Sequence, residues 1–183
     1  MKKLFLMLCL FCVLFLNCSS AEKTDDNNQN INREILGEIY IEKNAGFTMY
    51  IPKGWQIRDY SLKYSAIVEP LRRDFTININ LADERYSGAI SEYIIAGVGY
   101  LSKLYTEFEV SESKKVKTNS GLNGEYIILQ GRINKINVRQ KSYFIQNKKA
   151  TDIMVITCTV PHDVGDKYDA VFDECVKTFT WAK

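Results

Sequence analysis

The chain has 183 residues, 46% of them hydrophobic and 25% charged, which is enough for one globular domain behind an export segment and too little for two full domains. Its formal charge is only +2. Lys2 and Lys3 account for the excess of 24 bases over 22 acids, so the part from Cys18 onward is neutral. That balance leaves no basic footprint for nucleic acid, and no glycine-rich phosphate loop or His-containing metal motif implies a cofactor.

Residues 1–17 read as a signal peptide: two lysines precede an unbroken apolar run from Leu4 to Leu16, too short to span a bilayer comfortably. Phe15-Leu16-Asn17-Cys18-Ser19-Ser20 then resembles a bacterial lipobox, with Cys18 as the lipidated residue. Leu16 and Asn17 stand where small residues are usual, a relaxation similar to that of spirochaetal lipoproteins. Ser19-Ser20-Ala21 offers a second reading, cleavage by ordinary signal peptidase and release of a soluble secreted protein. Residues 18–34 form a polar tether centred on Asp25-Asp26-Asn27-Asn28-Gln29-Asn30, which cannot bury enough apolar area to offset its chain entropy. About fifteen such residues reach roughly 20 Å. The expected location is therefore the cell envelope, lipid-anchored on the outer or cytoplasmic membrane and facing the periplasm or the cell surface.

The globular domain is expected over residues 35–183. Ile39-Tyr40-Ile41 reads as a short strand and Asn44-Ala45-Gly46 as a turn. Phe47, Met49 and Ile51 share one face of the next strand, and Pro52-Lys53-Gly54 supplies the reversal of an opening hairpin, with Trp55 restarting the chain on the apolar side. Two strand-like pieces, residues 55–60 and 65–69, are split by Ser61-Leu62-Lys63, and residues 70–74 make another reversal. Phe75, Ile77, Ile79 and Leu81 alternate with Thr76, Asn78 and Asn80, which predicts a strand with one core face and one wet face.

The period then changes. Ile90, Tyr93, Ile94, Gly97, Val98, Leu101, Leu104 and Tyr105 recur at three and four, predicting an amphipathic helix with Ser87 as N-cap and Gly97 and Gly99 allowing close approach to a sheet. Strands follow over 108–116, 124–133, 136–145 and 151–160, joined by turns short enough for antiparallel neighbours. Tyr168, Val171, Phe172, Cys175, Val176 and Phe179 form the stripe of a closing helix over 167–177, capped by Asp163 or Asp166. Strands, helix, strands, helix make an α+β domain: a central antiparallel sheet with helices against its faces.

Gly46-Phe47-x-x-x-x-Pro52-x-Gly54-Trp55, the middle helix, Gly121-x-x-Gly124, Gln140-x-x-Tyr143-Phe144, Ile156-Thr157-Cys158-Thr159, the closing helix and Thr178-Phe179 together resemble the PsbP-like superfamily. That group includes the photosystem II extrinsic protein, DcrB-like lipoproteins and nuclear Ran-binding Mog proteins. The resemblance covers the chain from Ile39 to its C-terminus. It implies an αβα sandwich around a twisted antiparallel sheet with two main helices. It implies no activity, because members are mostly accessory, assembly or binding proteins.

His162 is the only histidine, so a catalytic dyad or triad has to use it. Cys158, four residues earlier, would be its thiol nucleophile in a hydrolase, against a plainer reading of buried cysteine and surface histidine. Cys158 and Cys175 are also a candidate disulfide between the last strand and the last helix, against a preferred reading as two reduced, buried core residues. His162, Asp163 and Asp166, with Asp169 and Asp173 one helical turn apart, can be drawn as a metal site, but acids near a helix start answer the macrodipole and the remainder form a solvated face. Lys114, Lys115 and Lys117, and Arg132, Lys135, Arg139 and Lys141, are basic clusters that could meet acidic partners, or lysines guarding edge strands. The tyrosines, 11 in all, read mostly as sheet and core residues. The function this supports is a non-catalytic, lipid-anchored envelope lipoprotein acting through an unidentified protein or ligand, with no cofactor. The alternatives are a secreted binding protein, a surface lipoprotein recognising a host partner through an exposed apolar or aromatic patch, and the Cys158/His162 hydrolase.

Overall fold

The computed structural model describes residues 34–60, 62–70, 75–133 and 135–182. The signal peptide, Cys18, the tether through residue 33, Ser61, residues 71–74 of the reversal after Pro70, Asn134 and Lys183 lie outside the described residues.

Strands β1 (Leu36–Glu42) and β2 (Phe47–Pro52) form an antiparallel hairpin in which Tyr40 faces Met49 and Ile41 faces Thr48. The far edge of β2 is taken by β11 (Thr180–Trp181), with Thr180 opposite Thr48. Alternation along β2 does what its sequence requires: Phe47, Met49 and Ile51 are 1%, 0% and 0% exposed. The reversal after it corrects the expectation of a hairpin. Trp55 N–H donates to the Pro52 carbonyl at 3.1 Å and Gly54 adopts φ +81°, the left-handed conformation that the third residue of such a turn needs. Both edges of β2 are already occupied, so the chain leaves this sheet, and β3 (Gln56–Arg58) pairs with β4 (Ala66–Val68) in another.

That second sheet runs β3-β4-β5-β10-β9-β8-β6, with β7 also pairing β8. Its further strands are β5 (Asn78–Arg85), β6 (Thr106–Val110), β7 (Lys114–Lys117), β8 (Asn123–Ile133), β9 (Ile136–Gln146) and β10 (Asp152–Pro161), all paired antiparallel. The stretch expected as one strand over 108–116 is two short ones, interrupted at residues 111–113. Gly124 is required where β8 meets β9: a Cβ there would stand 2.6 Å from the Phe144 carbonyl oxygen and 2.5 Å from Ile145 Cδ1.

The central strands are covered on both faces. Met154, Ile156 and Cys158 of β10 join one core with Phe47, Met49 and Ile51 of β2 and with Phe172, Cys175 and Val176 of helix α2 (Asp169–Lys177). Ile153 and Val155 join a second core with Tyr93, Ile94 and Leu101 of helix α1 (Ile90–Leu101). The helices therefore lie on opposite faces, an αβα arrangement, with β1-β2-β11 as a smaller sheet on the α2 side that the sequence reading lacks. For the same reason the "wet" face expected around β5 is largely closed. Asn78 is 8% exposed, and a chain of amides satisfies it: Asn80 Nδ2 donates to Asn78 Oδ1 and Asn78 Nδ2 to the Thr76 carbonyl, both at 2.8 Å.

Neither helix is capped as expected. Ala89, not Ser87, is the N-cap of α1, and Tyr168 that of α2, without a side-chain capping bond at either. Asp163 belongs to a single 3₁₀ turn (His162–Val164), and Asp166 contributes its backbone carbonyl to the Asp169 N–H at 2.9 Å. Gly97 is buried in α1 as expected, but Gly99 is exposed and a Cβ there would meet nothing within 4 Å.

Candidate functional site

The polar residues singled out in the sequence converge on the seam between α2 and β9. Residues two apart in a strand are roughly 6.8 Å apart and point the same way. Residues four apart in a helix rise by about 6 Å on one face. Arg139 and Lys141 of β9 and Asp169 and Asp173 of α2 are two such ladders, and they match rung for rung. Arg139 Nη1 and Nη2 donate to Asp169 Oδ1 and Oδ2 at 2.6 and 2.9 Å, a bidentate pair. Lys141 Nζ lies 2.8 Å from Asp173 Oδ1 and 3.4 Å from Asp169 Oδ2, and the Tyr143 hydroxyl donates to Asp173 Oδ1 at 2.7 Å. The ammonium also stands 4.6 Å from the centre of the Tyr126 ring and 5.6 Å from that of Tyr143.

This geometry overturns two expectations. Lys141 is 3% exposed and Arg139 7%, on a strand flanked by β8 and β10, so neither is an edge-guarding or partner-seeking base. Asp169 and Asp173 are not a free solvated face, since their oxygens are taken by cations and a hydroxyl of the sheet. Burial pushes the Asp169 carboxyl up, but the Arg139 and Lys141 charges outweigh it and hold the group below the ordinary carboxylate range. Arg139 is raised in turn, chiefly by its bonds to Asp169. Burial, with Cys158 and Asp173 nearby, raises the Tyr143 phenol far beyond its usual range. Two cations, two carboxylates and a phenol thus satisfy one another beside the apolar core, and the arrangement fixes α2 on the sheet rather than offering a charge to substrate.

Cys158 and Cys175 lie just inside this seam as free thiols, each 0% exposed. Burial and then the neighbouring Cys175 raise Cys158 well above a normal thiol, and burial raises Cys175 likewise. His162 is exposed on the 3₁₀ turn beyond the end of β10. A sequestered thiol kept protonated and an imidazole in solvent do not make a nucleophile and its base. Asp163 and Asp166 are also exposed, and among the described residues no group of three or more His, Cys, Asp or Glu side chains is arranged to hold a metal ion.

The other basic residues separate. Lys114, Lys115 and Lys117 are exposed on the outlying strand β7, and Arg132 and Lys135 are exposed where β8 turns into β9. The large exposed apolar side chains among the described residues are Ile41, Ile95 and Val110, on β1, α1 and β6, so they do not form one patch. What the sequence did not disclose is a cleft of about 350 Å³ over the outer face of the small sheet. Ile41, Glu42, Lys43, Thr48, Lys148 and Thr180 are among the residues that line it. Thr48 and Thr180 are 132 positions apart, so no local pattern brings them together.

No family model and no curated protein matches the sequence. Solved structures do. The solution structure of cyanobacterial PsbP (CyanoP) from Synechocystis superposes with a TM-score of 0.58, at 12% identity, over 85% of this chain and 98% of that one. The fold is PsbP-like. LpqN of Mycobacterium tuberculosis, described as involved in cell envelope biogenesis, matches at TM-score 0.55 and 15% identity over 73% of this chain and 82% of its own. The Saccharomyces cerevisiae Ran-binding protein Mog1p matches at TM-score 0.53 and 13% identity over 81% and 97%. Among the described residues, no helix of this PsbP-like chain is long and apolar enough to cross a membrane.

Proposed function

We propose that this PsbP-like domain is a non-catalytic binding module of the cell envelope, tethered by an acyl anchor on Cys18 and acting through a protein partner. The observation that carries the reading is the fate of the reactive candidates: Cys158 is buried and protonated, and Arg139, Lys141, Asp169 and Asp173 neutralise one another. The relatives in fold agree in kind, since one is described as Ran-binding and another as involved in envelope biogenesis. The anchor rests on the lipobox-like Phe15-Leu16-Asn17-Cys18 and on the polar residues 19–33 that follow it.

The test is crosslinking in the native cell. A photoreactive residue placed in the tether of the wild type is expected to capture the same envelope protein reproducibly, and Cys18→Ala is expected to lose both the membrane fraction and that adduct. A purified chain that hydrolyses ester or amide substrates at a rate abolished by Cys158→Ser would contradict the reading.

A further inference from the structure

Helix α1 has an outward face that its own domain does not explain. The inner face is spent on the sheet, through Tyr93, Ile94, Gly97 and Leu101. A helix lying on a protein surface ordinarily turns charged and polar residues outward, yet the 12 residues of α1 include a single charge, Glu92. At about 100° per residue the outward face runs through Glu92, Ile95, Ala96, Gly99 and Ser102, with Lys103 directly after that C-cap. All six are exposed, and Ile95, at 72%, is the most exposed large apolar side chain among the described residues.

Gly99 stands in the middle of this face. Nothing within the chain calls for glycine there, since a Cβ would meet no atom within 4 Å, and glycine weakens a helix interior relative to alanine. A missing side chain on an outward face is useful where a second backbone comes close. Ile95, one turn earlier, is the projection that such a neighbour would bury.

The neighbour that fits this face is the same face of a second copy, turned antiparallel about a twofold axis. Glu92 lies in the first turn and Lys103 beyond the last, so the two charges mark opposite ends. The backbone stays helical between them: Ser102 adopts φ −57° and ψ −18° and its N–H donates to the Val98 carbonyl at 2.9 Å, and the Lys103 N–H donates to the Tyr100 carbonyl at 3.1 Å. Within its own domain Glu92 accepts a long bond from the Tyr86 hydroxyl at 3.5 Å, and neither Glu92 nor Lys103 is held in an ion pair among the described residues. The register that sets Glu92 level with Lys103 of the second copy also sets Ala96 level with Gly99 of the second copy, and the axis repeats both contacts. Small residue meets small residue at the closest approach of the backbones, and Ile95 enters the gap beside the other Gly99. An acid in a first turn suits any helix dipole, so the charges fix the direction of pairing. The gap at Gly99 and the projecting Ile95 call for the neighbour itself.

From this complementarity we infer that α1 is a self-association face, pairing antiparallel with α1 of a second copy of this chain. Its six residues are far fewer than the roughly 20–30 a side of a stable interface, so the pair is transient, with a dissociation constant on the order of 100 μM.

The test is photocrosslinking of the full-length chain in the cell envelope, with a diazirine residue of leucine size at position 95. An adduct of twice the chain mass is expected, mapping to residues 96–103 of the second copy. Glu92→Lys and Lys103→Glu should each lower its yield by about 10-fold, because the axis turns two attractive pairs into two repulsive ones. The two reversals combined should restore it. Gly99→Gln, which fills the gap with a solvated side chain of better helix propensity, should abolish it. All of these positions are exposed, so the urea midpoints should match the wild type or, for Gly99→Gln, exceed it. Adducts confined to lipid or to another protein, a dimer joined outside residues 96–103, or a combined reversal that fails to restore the yield overturns the assignment. Its failure leaves the reading of a binding domain standing, since capture from the tether does not depend on α1.

Discussion

Replacing Lys141 by methionine keeps most of the side chain's length and removes its charge, and the ion-pair network at the α2 seam sets the cost. Lys141 is 3% exposed and is the only cation within 4 Å of Asp173 among the described residues. Without it Asp173 keeps only the Tyr143 hydroxyl, and Asp169 keeps Arg139. Breaking a fully buried pair costs about 3–5 kcal/mol, but Asp173 is 36% exposed and can recover water, so roughly 2 kcal/mol is expected. Urea unfolding followed by tryptophan fluorescence reads this directly, and for a domain of this size the thermal midpoint should fall by about 4–8 °C. Asp173→Leu combined with Lys141→Met should cost clearly less than the two single changes together, because no uncompensated charge is left. A loss below about 0.5 kcal/mol for Lys141→Met, or strict additivity in the double variant, would refute the seam as the fastening of α2.

The glycines separate by environment: Gly99→Ala should stabilise by about 0.5–1 kcal/mol, whereas Gly124→Ala should destabilise by about 1–3 kcal/mol because the Phe144 carbonyl cannot yield, both by chemical denaturation. Asp169 has a folded pKa depressed below its unfolded value, so its contribution is complete above the unfolded value near pH ~4 and is lost as pH falls through the folded one. Asp169→Asn should accordingly lower stability at neutral pH and flatten the acid limb of the pH–stability curve. Cys158 and Cys175 should resist alkylation at pH ~8 in the native protein and react on denaturation, as read by peptide mapping.

Periodicity carried the fold in the sequence wherever one face was apolar. Phe47, Met49 and Ile51, the stripe of α1 and the stripe of α2 all stand in the cores their spacing implied. The partition into two sheets was not legible, because it depends on β11 reaching β2 from the other end of the chain. The seam was half legible. Asp169 and Asp173 were visible as one helical face, but Arg139 and Lys141 only as members of a basic cluster, because a charge on a strand reads as an edge signal until the strand's neighbours are known. Cap assignments failed because serine and aspartate near a helix start are only eligible caps. In this chain Ser87 stands two residues before the N-cap of α1, and the acids before α2 lie in and after a 3₁₀ turn.

The most direct test of a tethered envelope binding domain is intact mass with metabolic palmitate labelling of wild type and Cys18→Ala. Label on the wild type at the mass of an acylated chain beginning at Cys18, absent from the variant, is the expected result. An unlabelled wild type with its N-terminus at Glu22 would contradict the anchor and make the domain a released one.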